Sequence, residues 1–267
     1  MSFSDLAGNA ALTTRLKHLM SAGKLPRSMI FFGRAGVGKV ETALTVAQAL
    51  NCTVSQNDAC GRCPSCIRIS KDEHPDVRML KPEGRGGQLR AEGVREAISE
   101  VPFRPFEGRR RVIILADAER MNPTTANTLL KTLEEPPEWA TLILTTANEA
   151  ALLPTILSRC QIFRFSPLAP AELETLLRTR HGIAPERAAL LAAVAGGGIA
   201  RALELAEEPL LELRSQAISL AKLLVESAEA EELVPLADSL SKEPRLMLLL
   251  DLLLSILRDL AAKAASA

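Results

Sequence analysis

Aromatic side chains are scarce in this chain: seven Phe, one Trp and no Tyr make up 3% of its residues. A row of base-stacking rings is therefore excluded, and the core has to be built from Leu, Ala, Val and Ile. Net charge is also missing, because 32 Lys plus Arg balance 32 Asp plus Glu. That excludes a basic nucleic-acid coat or an acidic tail, although it leaves room for a local basic patch. Long apolar runs are absent too. The greasiest stretch, Leu246 to Leu257, is interrupted by Asp251 and falls short of the roughly 20 apolar residues of a bilayer span. It reads as a buried or partner-facing helix, and no membrane partner is expected. Residues 1–20 contain no apolar core of signal-peptide type, so the expected location is cytoplasmic.

What is present fits an ordinary globular protein, with 47% apolar and 24% charged residues. At about 150 residues per domain, 267 residues exceed one small domain. Ala7 to Ala22 has helical apolar spacing and stops at Gly23. Ser28 to Phe32, a glycine-rich turn and a helix from about Lys39 to Leu50 form the opening of a βαβ unit. Further strands are expected at Asp76 to Leu80, Arg111 to Ala116, Thr141 to Thr146 and Gln161 to Phe165. A flexible stretch at Pro82 to Gly87 is followed by a helix over Ala91 to Val101. Asn122 caps a helix with Pro123 at its first position and a stop at Pro136-Pro137. Five short strands alternating with helices predict a parallel sheet in an α/β layer. Beyond Pro167 the pattern turns helical: Pro170 to Arg180, Pro185 to Val194, Ile199 to Ala206, then two or three Leu/Ala-rich helices over Pro209 to Ala267. The apolar faces of these last helices call for a partner.

Three features carry chemistry. Gly33-Arg34-Ala35-Gly36-Val37-Gly38-Lys39-Val40 has the form GxxxxGK, in which backbone N–H groups cradle phosphates and the lysine reaches the outer ones. The next position normally gives Mg²⁺ a hydroxyl, and here it is Val40. Asp117 ends a buried strand, but Ala118 follows it where an ATPase of this layout has a water-polarising glutamate; Glu119, one place on, reads as a solvated surface acid. The loop is thus either a turn-keeping remnant or a weak site for ATP or ADP. Cys52, Cys60, Cys63 and Cys66, with Gly61 and Pro64 as turn formers, have the spacing of a structural tetrahedral zinc site; disulfides or idle thiols are the alternatives. Arg159, in Ser158-Arg159-Cys160, is either a surface charge or a finger offered to phosphate. Cys160 reads as a small buried hydrophobe, and His74 as a cap or surface residue. Arg104 with Arg109 to Arg111 reads first as solvated surface and second as a DNA-backbone contact.

Taken in order, the phosphate loop, the four-cysteine insertion, Asn127-Thr128-Leu129-Leu130-Lys131-Thr132-Leu133-Glu134-Glu135-Pro136-Pro137 and Ser158-Arg159-Cys160 make the chain resemble the bacterial DNA polymerase III clamp-loader subunits of the AAA+ superfamily. The resemblance spans about residues 3–207. Val40, Ala118 and Ala200, the last standing where a motor subunit has a nucleotide-sensing arginine, resemble the delta prime branch and depart from the tau/gamma motor branch. The family implies a five-stranded AAA+ α/β domain over 1–167 with its Cys₄ module at about 52–66. It further implies a helical lid over 168–207 and a C-terminal helical collar over 208–267, shorter here than is usual. It also implies tau/gamma and delta partners in a hetero-pentamer that loads a sliding clamp onto primer-template DNA. In that assembly Arg159 is implied to serve the ATP of an adjacent motor subunit, while Gly33, Gly36, Gly38, Lys39 and Asp117 form a degenerate nucleotide site.

Overall fold

The structure is a computed structural model that describes residues 2–6, 8–82, 87–207, 210–226 and 245–265. Two compact units divide the chain, Met1–Leu168 and Ala169–Ala267.

In the first unit, strands β1 (Ser28–Phe32), β2 (Val77–Leu80), β3 (Arg111–Leu115), β4 (Ala140–Thr146) and β5 (Gln161–Arg164) form one sheet in the order β2-β3-β4-β1-β5. All four pairings are parallel, as the alternation with helices predicts. Every residue of β3 and β4 is buried, which explains their nearly continuous apolar, β-branched sequences. Side chains alternate between two cores. Met29, Phe31, Val112, Ile114, Ile143 and Phe163 pack under helices α1 (Ala10–Ser21) and α2 (Lys39–Asn51), and this core continues into the cysteine module with α3 (Pro64–Ser70). On the opposite face Ile30, Ile113, Leu115, Leu142 and Leu144 meet α4 (Ala91–Glu100), α5 (Pro123–Glu134) and α6 (Pro154–Leu157). Each fully enclosed Ile, Leu or Phe is worth about 1.5–3 kcal/mol relative to an exposed one, so this two-sided cover is what fixes the sheet.

Helix α1 starts three residues later than its apolar spacing suggests. Gly8 and Asn9 both adopt left-handed backbone, which interrupts the helix before Ala10. Asn9 instead clips the chain to the end of β5: its Oδ1 accepts the Ser166 N–H at 2.7 Å and its Nδ2 donates to the Ser166 carbonyl at 3.0 Å. At α5 the sequence signal is realised directly, for Asn122 Oδ1 accepts the Thr125 N–H at 2.8 Å and Pro123 opens the helix.

The second unit is helical: α7 (Pro170–His181), α8 (Pro185–Val194), α9 (Ile199–Ala206), α10 (Leu210–Glu226) and α11 (Leu246–Ala265). Leu173, Leu177, Leu191 and Leu205 are buried, as are Leu213 on α10 and Leu249 and Leu252 on α11. Most of the Pro82–Gly87 stretch and residues 227–244 lie outside the described residues. Among the described residues no helix is long and apolar enough to cross a membrane.

Candidate nucleotide and metal sites

Ligands of parallel α/β sheets sit beyond the carboxyl ends of the strands, and the phosphate loop lies there, between β1 and α2. Gly33 is pinned by its N–H to the Thr146 carbonyl at 3.1 Å. A side chain at Gly33 would lie 2.7 Å from the Phe165 carbonyl oxygen, so the close approach of the two backbones requires glycine. Gly36 and Gly38 have φ of 77° and 90°, the left-handed turns that present loop N–H groups to an anion. Lys39 is buried, and its Nζ donates to the carbonyls of Gly33 at 2.6 Å and Arg34 at 2.8 Å. Burial lowers its pKa, against the opposing charges of Asp117, Glu119 and Glu41.

The loop has no hydroxyl for a metal ion. Val40 is half-buried, and the next hydroxyl, on Thr42, is used in a 2.7 Å bond to the Gly38 carbonyl. Across from the loop, Asp117 ends β3 in a left-handed conformation, and its N–H donates to Thr145 Oγ1 at 3.2 Å. Ala118 is buried.

Glu119 departs from its sequence reading as a solvated surface acid. A single 3₁₀ turn, Ala118–Arg120, swings it towards the end of β4, where its Oε1 accepts the Ala147 N–H at 3.0 Å. Its Oε2 is buried without a partner. Thus, besides Glu41 on its own helix, Lys39 has two carboxylates near it from the segment after β3, Asp117 and Glu119.

The four cysteines converge. Cys52 caps α2, Cys63 caps α3, and all four Sγ atoms lie within 4.8 Å of one another. Cys52 and Cys63 sulfurs are 4.0 Å apart, too far for a disulfide, and all five cysteines of the chain are free thiols. Zinc–sulfur bonds of about 2.3 Å in a tetrahedron place sulfurs about 3.8 Å apart, close to this spacing. Three backbone amides aim at the sulfurs: Ser55 at Cys52 (3.2 Å), Cys63 at Cys60 (3.3 Å) and Cys66 at Cys63 (3.4 Å). Burial works against a thiolate at Cys63, but the Cys66 amide and Thr53 pull its pKa down to about 6. Burial and the neighbouring Cys63 sulfur push the Cys66 thiol up to about 12. An all-sulfur, mostly buried donor set of this kind fits a soft divalent metal, and its four ligands leave no open position.

Around this module part of the basic run is structural. Arg111 is buried, donating to Asp76 Oδ1 at 3.2 Å and Glu100 Oε2 at 2.9 Å. Arg109 Nη2 donates to the carbonyls of Cys52, Ser55 and Ala49 at 2.7, 3.3 and 3.4 Å. Arg104 and Arg109 keep the exposed character expected of the run, Arg104 with its guanidinium over the Trp139 ring, while Arg110 is half-buried. Arg111 is drawn inward by Asp76, a carboxylate that nothing local in the sequence marks. This fully buried carboxylate accepts the amides of Phe106, Glu107 and Gly108 at 2.7–2.9 Å. His74 is buried rather than on the surface: its Nδ1 accepts the Asp76 N–H at 3.1 Å, and Nε2 lies 3.4 Å from Glu107.

Arg159 stands just before β5. Its guanidinium reaches Glu134 Oε1 at 3.3 Å, the Thr155 carbonyl at 3.1 Å and Ser158 Oγ at 3.4 Å. The side chain is 30% exposed and that of Glu134 60%, so the pair contributes only about 0–1 kcal/mol. Cys160 is half-buried, and burial pushes its thiol up to about 12.

Comparison with known proteins gives a consistent result. A family model described as DNA polymerase III, delta subunit, matches residues 8–169. DNA polymerase III subunit delta' of Bacillus subtilis is 33% identical over 205 residues, 75% of this chain and 60% of that protein. DNA polymerase III subunit tau of Escherichia coli is 31% identical over 228 residues, 82% of this chain and 35% of that protein. The chain therefore spans little more than half the length of one relative and about a third of the other. Among solved structures, the Thermotoga maritima RuvB Holliday junction branch migration motor aligns with a TM-score of 0.50 at 14% identity. That alignment covers 81% of this chain and 65% of that one, a likeness of fold alone.

Proposed function

We propose, from the premise that this AAA+ chain belongs to the DNA polymerase III delta-subunit family of clamp-loader subunits, that it is a non-catalytic subunit of delta prime type. In this reading it stands at the end of a ring with tau/gamma-type and delta subunits, in the cytoplasm, and lends Arg159 to the ATP of an adjacent motor subunit while a sliding clamp is placed on primed DNA. Residues 1–167 carry the site, 168–207 act as a lid, and 208–267 join the collar. The cysteine module holds zinc, which supplies a four-thiolate anchor for the loop between α2 and α3.

The observation that carries the reading is an asymmetry within one domain. Its own phosphate loop has Val40 and Ala118 at the positions that would give a metal its hydroxyl and a water its base. Meanwhile the Arg159 guanidinium stands partly exposed beside α6, tethered by a weak ion pair. A finger acts in trans, so losing the local parts costs it nothing. Gly33, Gly36, Gly38 and Lys39 retain the shape that takes up a diphosphate, and Asp117 faces them.

One observation favours the alternative, an ATP-hydrolysing tau/gamma-type motor: beyond Asp117, Glu119 brings a further carboxylate near Lys39, with one oxygen unassigned. A single set of assays separates the two. The purified chain is expected to release no phosphate from Mg-ATP. Added to motor subunits and primed DNA it should stimulate turnover, and Arg159→Ala should remove that stimulation by a factor on the order of 10³ without altering folding. Metal-dependent turnover by the chain alone, abolished by Glu119→Gln, would establish the motor reading instead.

A further inference from the structure

The five N–H donors of the Arg159 guanidinium are unevenly assigned. Nη1 serves the Thr155 carbonyl and the Ser158 hydroxyl, Nη2 serves Glu134 Oε1, and Nε is buried with no acceptor. A guanidinium grips an oxyanion with two parallel donors, either from its two Nη groups or from the edge that Nε shares with Nη2. The two bonds made by Nη1 close the first option. With Nε buried, Nη2 is the nitrogen left to meet a phosphate, and Glu134 is the only side-chain carboxylate among the described residues that holds it.

We propose that Glu134 is the positioning residue for Arg159. It ends α5, and the carbonyls at a helix C-terminus carry partial negative charge that also attracts a cation. From the other side, Thr155 on α6 and Ser158 beyond it fix Nη1. The guanidinium is thus suspended between the ends of two helices instead of ranging over its rotamers. Because the carboxylate is mostly exposed, its attraction is largely screened by water. An oxyanion arriving in a water-excluded interface outcompetes it, taking Nη2 without having to order the side chain first.

This inference rests on the reading that Arg159 acts on a neighbour's ATP, and the experiment separates the two. The assembled loader, with its motor subunits and primed DNA, is assayed with wild-type, Arg159→Ala, Glu134→Ala and Glu134→Gln chains. Glu134→Ala is expected to lower kcat about tenfold with KM for ATP and assembly unchanged, as misplacement of a reacting group does. Glu134→Gln keeps an oxygen acceptor for Nη2 and is expected to restore most of the rate. A second readout needs no partner. The Arg159 Nε–H resonance in a ¹⁵N NMR spectrum of the chain should broaden or shift in Glu134→Ala and stay near its wild-type position in Glu134→Gln. If Arg159→Ala lowers turnover but Glu134→Ala matches wild type, or if the two Glu134 variants fall alike, Glu134 does not position the arginine. An unchanged Nε–H resonance in Glu134→Ala leads to the same conclusion. If Arg159→Ala itself turns over like wild type, the trans role fails and this inference fails with it.

Discussion

At Asp76 three backbone amides and one guanidinium converge on a side chain that water does not reach. Burial alone would raise its pKa, but the amides of Glu107, Gly108 and Phe106, with Arg111, hold the carboxyl below the ordinary range. The bonds organise the whole 104–111 segment, since Arg111 also donates to the Arg104 carbonyl. Asp76→Asn leaves Arg111 buried with only Glu100 for charge, and we expect a loss of about 3 kcal/mol in urea unfolding. The pH dependence has a definite sign. A carboxyl with a depressed native pKa contributes stability that is complete above the unfolded value of about 3.9 and lost as pH falls through the native one. Asp76→Asn should therefore flatten the acid limb of the stability curve, and an unchanged slope would refute the assignment. None of this was legible in the sequence, because the partners lie 30–35 residues downstream and nothing local marks them. Glu119 was misread for a related reason. Its surroundings depend on the backbone conformation of Asp117, a left-handed residue that composition does not announce.

Elements were more legible than residues. β3 and β4 followed from runs of β-branched residues, α5 from its cap and proline, and the phosphate loop from glycines at fixed spacing, because each signal is local. The start of α1 was missed where Asn9 leaves the helix to meet Ser166, a contact between distant parts of the chain. The cysteine module is a special case, since its spacing marked out the four cysteines that converge but not their setting. The structure adds that the module is welded to the main core: Gln48 on α2 donates to the Cys66 carbonyl at 2.8 Å, and Arg109 reaches across to the Cys52 and Ser55 carbonyls. α3 has only seven residues, too few to be stable as an isolated helix, so its order depends on these ties and on the cysteine cluster. We expect one zinc per chain by elemental analysis. Cys63→Ser should lose the metal and about 4 kcal/mol of stability, the scale of losing a structural metal. A metal-free wild type with unchanged melting after chelation would remove zinc from the account.

For the molecule as a whole, the balance of charge and the fate of individual cations bear on how it meets DNA. Zero net charge provides no long-range attraction to phosphate, so any direct binding would need a local cluster. In the strongest cluster in the sequence, Arg104 with Arg109 to Arg111, two of the four cations are tied up by bonds within the chain. Arg111 is committed to two carboxylates and Arg109 to three carbonyls. Scarce aromatics remove base stacking as a compensating term. The isolated chain is therefore expected to bind primed DNA no better than non-specific proteins do, with Kd of about 10⁻⁴ M at physiological salt, and with a shallow salt dependence. Fluorescence anisotropy at several salt concentrations measures both quantities. Submicromolar binding with a steep salt slope would mean that this chain carries its own DNA site. Weak binding would instead mean that this chain, on its own, carries no DNA site of consequence.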